Sequence, residues 1–181
     1  MHPRLAELLD YLDAARARVL GEAARLPRDR WGIRPEPDRW SVAEVVWHLQ
    51  RVERGIAKVI AQRVGEARAS GHPTESDTAS MMHALDGRHV ADRTVPIVAP
   101  PRVSPPESVD PADVEVQLEQ SRALLRAAIA DADGLALGSI THPHPMLGEI
   151  NLYQWILFVG QHEARHAGQI AEAAQAAVAA H

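Results

Sequence analysis

Residues 151–170 read NLYQWILFVGQHEARHAGQI. Leu152, Trp155, Val159, His162, His166 and Gln169, with Ala173 beyond them, recur at steps of three and four. That spacing puts them all on one face of an α-helix. Two histidines therefore stand where leucines would be, in the middle of a core-facing seam. Burying an imidazole there costs free energy unless the ring finds a partner. Four residues of helix rise about 6 Å. Both rings can then reach a single cation at the roughly 2.0–2.1 Å of a metal–imidazole bond. The helix spans about residues 151–177, opening with Asn151 and Gln154 in an N-x-x-Q variant of the capping box.

Three more amphipathic stripes precede it. Leu5, Leu8, Leu9, Leu12 and Leu20 mark a first helix over about residues 3–25. "LPRDRWGIRPEPDRW" then breaks it with prolines and a glycine. A second helix, about 41–67, opens with Ser41 and Glu44 in a capping box and Trp40 placed to staple onto Val45. Its stripe runs through Val42, Val45, Leu49, Val52, Ile56 and Val59. A third, about 111–131, has Asp110 as N-cap and Pro111 in its first turn, a stripe of Val114, Leu118, Leu125 and Ile129, and Gly134 beyond its end. No strand pattern of convincing length is visible, and "GLALGSITHPHPMLGE" reads as a loop. The simplest way to bury four such stripes is an all-α four-helix bundle, one domain over residues 1–181.

Residues 71–110 are different. They are rich in proline (73, 96, 100, 101, 105 and 106, with Pro111 following) and hold His72, His83 and His89. The segment reads as a long, proline-stiffened crossover between helices two and three, with a short helix near Glu75–Leu85. Its histidines read as surface residues.

Composition narrows the chemistry. There are no cysteines, so disulfides, thiolate metal sites and a cysteine nucleophile are excluded, and a transition metal must be held by His, Asp or Glu. The net charge of −5 gives no basic footprint for nucleic acid. The start, "MHPRLAELLDYLDAARARVL", does not read as a signal peptide. No apolar run is long enough to span a bilayer. The expected location is the cytoplasm, with no membrane partner.

A metal on His162 and His166 needs a third ligand. His48, two turns inside the second helix at the edge of its stripe, is the candidate. Three histidines with positions left open suit chemistry more than a closed structural site. The plain alternative is a set of hydrogen-bonded core histidines.

His162-Glu163-Ala164-Arg165-His166 also spells H-E-x-x-H, in which the glutamate serves zinc peptidases as general base. The context argues against a peptidase. In H-E-x-x-H-x-x-G-x-x-H a glycine breaks the helix so that a third histidine returns, whereas Gln169 and Glu172 stand at those two positions. "QIAEAAQAAVAA" continues as good helix former. No edge strand is visible to bind a peptide. Glu163 is left as a weak candidate for catalysis, flanking the stripe, solvated or orienting a neighbour.

"RWSVAEVVWHLQRVE" (39–53) and "HPHPMLGEINLYQWILFVGQHEARHAGQI" (142–170), with the separation between them, resemble the DinB-like superfamily of metal-binding four-helix bundles. That family includes the YfiT-like metal-dependent hydrolases and thiol-dependent transferases. The specific parts are W-S-x-x-E-x-x-x-H, H-P-x-L-G and H-x-x-x-H-x-x-Q. The resemblance implies a divalent metal, often nickel or zinc, on His48, His162 and His166. It also implies that Gln169 orients a ligand from behind. His144-Pro145 with Leu147-Gly148 matches the family's approach to helix four, and His142 reads as part of a rigid turn. Some members use a low-molecular-weight thiol as cosubstrate, and the family's bundles often pair as homodimers. The implied function is a metal-dependent enzyme that activates water or such a thiol against a small-molecule substrate, as hydrolase or S-transferase. A noncatalytic, stress-related metal-binding bundle, a core-histidine bundle without metal and the H-E-x-x-H peptidase stay open as alternatives.

Overall fold

The computed structural model describes residues 1–95 and 97–179. Four helices carry the architecture: α1 (Pro3–Ala23), α2 (Val42–Ala69), α3 (Pro111–Asp131) and α4 (Leu152–Ala179). α1 packs along α4 and α2 along α3, and α2 also meets α4. The protein is a four-helix bundle with a long crossover between α2 and α3. Among the described residues no helix is long and apolar enough to cross a membrane.

Each helix starts where its capping chemistry dictates. Ser41 Oγ accepts the Glu44 amide at 3.3 Å and the Glu44 carboxylate accepts the Ser41 amide at 2.8 Å. Asn151 and Gln154 exchange the same pair of bonds at 3.0 and 2.9 Å, so the N-x-x-Q box caps α4. Asp110 accepts the Ala112 amide at 2.8 Å. Each box satisfies amides that a helix start otherwise leaves unpaired.

The buried stripes depart from the sequence reading in two places. In α1 the turn after Leu12 is Ala15 and Arg16, followed by Val19 and Ala23, while Leu20 is 41% exposed. In α2 the stripe passes from Leu49 through Glu53 to Ile56, Ile60 and Val64, with Val52 half-buried beside it. In both helices a charged residue occupies a core beat: Glu53 in α2, next to the half-buried Val52, and Arg16 in α1, where the following beat is Val19 and not its neighbour Leu20.

Those charged residues divide the core. One apolar cluster contains Leu8, Leu12, Ile56, Ile60, Leu125 and Ile156. The other contains Val19, Val45, Leu49, Leu118, Ala167 and Ile170. Each fully buried Leu or Ile contributes roughly 1.5–3 kcal/mol. Between the clusters every helix supplies one charged side chain: Arg16, Glu53, Arg122 and Glu163, from α1 to α4 in order. Arg16 donates to Glu163 and to Glu53, both at 2.7 Å. Arg122 donates to Glu53 at 2.6 Å and to Glu163 at 2.9 Å. The remaining guanidinium nitrogens reach the carbonyls of Leu118 and Leu12, and Ser121 donates to Glu53. Two positive and two negative charges thus close a ring across all four helices. α1 packs tightly on α4 at Gly160, where a Cβ would fall 2.5 Å from the Tyr11 ring.

Two expectations require correction. Residues 141–151 are a β-hairpin: β1 (Thr141–His144) pairs antiparallel with β2 (Gly148–Asn151), Thr141 opposite Asn151 and His144 opposite Gly148. Strands of four residues with two prolines nearby are too short to show a period. Gly148 makes the turn possible with φ +70°. The second correction concerns Glu75–Leu85, which is not helical. Glu75 accepts the amides of Ser76 and Asp77, Asp77 that of Ala79, and Ser80 that of Met82. These local side-chain bonds compete with helix hydrogen bonding. The crossover instead forms turns, including 3-10 turns at Asp86–Arg88 and Pro101–Val103.

Candidate metal centre

His48 projects from α2 and His162 and His166 from successive turns of α4. Their ligand atoms all lie within 4.8 Å of one another. His48 Nε2 is 3.1 Å from His162 Nε2, and His166 Nε2 is also 3.1 Å from it. The outer nitrogens are held from behind. His48 Nδ1 donates to the Val103 carbonyl at 2.7 Å. His166 Nδ1 donates to Gln169 Oε1 at 2.8 Å. An imidazole that donates through Nδ1 while neutral presents a bare lone pair at Nε2.

The rings stay neutral. Burial pushes His166 down to about 3, with His48 adding to the effect. Burial likewise lowers His48, against the pull of the Val103 carbonyl. It lowers His162 well below its ordinary value, helped by the two neighbouring histidines. Aromatic groups wall the cluster: Phe158 stacks on His162 at 5.3 Å between centroids, and Trp40 lies 5.1 Å from His48.

The geometry creates a conflict that a cation resolves. His48 and His166 both aim acceptor lone pairs at His162 Nε2, and a single His162 Nε2–H can serve only one of them. The other contact then sets two lone pairs against each other. Three nitrogens each about 2.0–2.1 Å from one ion would stand about 2.8–3.4 Å apart for angles between octahedral and tetrahedral. Two of the three pairs, at 3.1 Å, fall inside that interval, and the third, His48 with His166, lies within 4.8 Å. The donor set, three neutral imidazoles, suits zinc or nickel.

The crossover covers this face. Besides Val103 on His48, the Arg102 carbonyl accepts from Arg51 at 3.4 Å, and Arg165 donates to the carbonyls of Asp92 and Val95. Arg93 pairs with Glu172 at 2.8 Å. No sequence pattern signals that the carbonyl fixing the His48 tautomer comes from a residue 55 positions away. Of the remaining histidines, His72 binds the Ala136 carbonyl and Ser139, His83 binds Asp86, and neither joins the cluster. His89 is exposed.

Glu163, next to His162 in sequence, faces the other way. It is 1% exposed and gripped by Arg16 and Arg122. The expectation of a solvated flank does not hold. Its burial raises its pKa, with the two guanidiniums pulling it back. The residues around His144, which the sequence reading treated as a turn, also lie at this site: the His144 ring is 4.5 Å from Phe158.

The fold and the histidine cluster define a class: a four-helix bundle with three convergent imidazoles between its second and fourth helices. The family model of the DinB superfamily matches residues 11–170. The chain belongs to that superfamily. It is 26% identical over 165 residues to the uncharacterized protein YuaE of Bacillus subtilis (strain 168), covering 91% of this chain and 95% of that protein. Among solved structures it is similar to TT2238, described as a four-helix bundle protein, with a TM-score of 0.55 and 21% identity over 91% of this chain and 95% of that one.

Proposed function

We propose that this protein is a metal-dependent enzyme acting on a small molecule, with His48, His162 and His166 as the ligands of a divalent ion. The observation that carries the reading is the convergence of three Nε2 atoms whose lone pairs have no mutual hydrogen-bonding solution. Nickel or zinc is the ion expected from superfamily membership. Such an ion lowers the pKa of a bound water or thiol and supplies its anion as nucleophile, for hydrolysis or S-transfer. The chain's own residues do the rest. Val103 and Gln169 fix two of the imidazole tautomers, and outer partners of this kind orient ligands and raise their basicity. Trp40 and Phe158 keep the rings desolvated. The reading gives Glu163 no proton to move, because Arg16 and Arg122 already occupy both of its oxygens. That also removes the residue a H-E-x-x-H peptidase would need.

The test begins with elemental analysis of untagged protein, before and after incubation with nickel or zinc. About one ion per chain is expected. A content near zero in both cases sinks the reading and leaves a bundle with core histidines. Loaded protein is then assayed with water and with low-molecular-weight thiols against esters and alkylating electrophiles. Bound metal without turnover on either series would support the noncatalytic alternative.

A further inference from the structure

A groove of about 380 Å³ opens between α2 and α3, lined by Trp47, Gln50, Arg51, Arg54, Gln117 and Gln120. The four α2 residues follow one another at steps of three, one and three, so one face of that helix forms the wall. None of the three clustered histidines lines it. Gln50 sets this groove apart from an ordinary surface crease. It is 4% exposed, on the side of α2 where Ala43 and Ala57 are also buried. Among the described residues its side-chain amide makes no hydrogen bond. The amide is not sealed off either, and what remains of its exposure opens on the groove. An amide this desolvated and unanswered is a cost to the fold that an apolar side chain would not incur. A ligand in the groove answers it.

The charges around Gln50 say what kind of ligand. Arg51 is exposed and Arg54 half-buried, and among the described residues neither pairs with a carboxylate. Arg54 gives one long bond to Gln120 Oε1 at 3.5 Å, and Arg51 one to the Arg102 carbonyl at 3.4 Å. Their other N–H groups are uncommitted, and no carboxylate lines this groove. Beyond Trp47 and Gln117 lies a smaller recess of about 170 Å³ that holds Asp110 and Asp113. Those two carboxylates are accounted for by the start of α3, as its N-cap and in its first turn. They nevertheless give the groove a direction. An anionic group belongs at the arginine end, and the uncharged part of the same ligand lies against the half-buried Trp47.

We infer that this groove binds a phosphate monoester attached to a planar ring, with the phosphate on Arg51 and Arg54 and the ring on Trp47. Two guanidiniums present forked donors to phosphate oxygens and balance a dianion, whereas a carboxylate would leave one charge over. An indole face stacks on planar rings. The Gln50 and Gln117 amides each offer a donor and an acceptor to a polar ring edge. Mononucleotides and aryl phosphates share this chemistry. The site is separate from the metal centre and does not depend on metal being bound there.

The test is calorimetric titration of the metal-free full-length protein with adenosine monophosphate and with phenyl phosphate, so that metal–phosphate contact plays no part. At least one of them is expected to bind about tenfold or more tightly than inorganic phosphate and than its own dephosphorylated form, adenosine or phenol. The tighter of the two decides between a nucleotide and an aryl phosphate. Arg51→Gln and Arg54→Gln are each expected to weaken binding about tenfold, and Trp47→Leu by a similar factor through lost stacking. Gln50→Leu separates binding from folding. It is expected to weaken the ligand severalfold while urea unfolding of the free protein is unchanged or shifts to higher urea, because no hydrogen bond within the chain is lost. No binding of either phosphate, or affinity unchanged in both arginine variants, overturns the site. A Gln50→Leu protein that is less stable yet binds as tightly as the wild type overturns the role of that amide and the site with it. Benzoate binding as tightly as phenyl phosphate overturns the assignment to phosphate.

Discussion

Two polar constellations share the middle of this bundle, and in α4 they are adjacent residues. Glu163 belongs to the ring with Arg16, Glu53 and Arg122; His162 belongs to the cluster with His48 and His166. Both are desolvated, and both occupy places where the helices would otherwise set leucines. The ring answers itself: two charges of each sign, carboxylate oxygens each met by a guanidinium, leftover N–H groups delivered to backbone carbonyls. The cluster is answered only on its outer side, by Val103 and Gln169, and its inner lone pairs face one another. Burial alone does not separate structural polar groups from functional ones. What separates them is whether the hydrogen-bond accounting closes within the chain.

The largest way to break the comparison is to open the closed network. Glu163→Ala leaves Arg16 and Arg122 buried with half their counter-charge. Removing one partner of a buried ion pair costs roughly 3–5 kcal/mol, and that loss is expected in urea unfolding at neutral pH. A loss below about 1 kcal/mol would mean that water enters the ring freely, and the contrast with the histidines would weaken. The ring's four members were open to view in the sequence. Arg16 follows Leu12 by four, Glu53 follows Leu49 by four, Arg122 stands between Leu118 and Leu125, and Glu163 follows Val159 by four. Read singly, each looks like a flanking surface charge. Only the bundle shows that the four gaps lie at one height, where opposite signs meet.

Opening the histidine cluster should act differently. His48→Ala removes a ring that the metal-free fold holds at a cost, so stability without metal is expected to change by under about 1 kcal/mol. Wild-type protein with free metal at a hundred times its Kd gains about 2.7 kcal/mol, and the variant is expected to gain almost none of it. Thermal denaturation with and without nickel or zinc measures both numbers. A variant still stabilised by metal like the wild type would show that His48 is no ligand.

The helices and the cluster's own residues were legible because they depend on local periodicity and on spacing along one helix. The bundle, its capping boxes and the crossover follow from that. The hairpin was hidden because four-residue strands carry too little period. The irregular run after Glu75 was hidden because its side chains capture their own amides. Val103 and His144 were illegible as site residues for a different reason. Their roles are set by where a proline-rich crossover and a hairpin come to rest against α2 and α4, and no local pattern encodes that.

A smaller effect is expected behind the ligands. Gln169→Leu keeps the helix and the packing volume but frees the His166 Nδ1–H and the ring's orientation. Loss of such an outer partner typically weakens metal binding 10–100-fold. Competition with a chelator should show that drop while unfolding of the metal-free protein barely moves. Equal metal affinity in the two proteins would make Gln169 an ordinary seam residue.

The smallest effect concerns His144, and its sign follows from its low folded pKa of about 4. In the unfolded chain the ring takes its proton near pH 6.5. Between those values the unfolded state binds more protons, so falling pH costs stability from about pH 6.5 downward and the cost levels off below about pH 4. From pH 7 to 5.5 this histidine should account for about 1 kcal/mol of the metal-free protein's loss. His144→Asn retains an acceptor for the Met146 and Leu147 amides, so any constant offset cancels when slopes are compared. The variant's stability is expected to fall less steeply over that interval than the wild type's. Parallel slopes would mean that the folded ring takes up its proton as readily as the unfolded one, against its burial and its double acceptance at Nδ1.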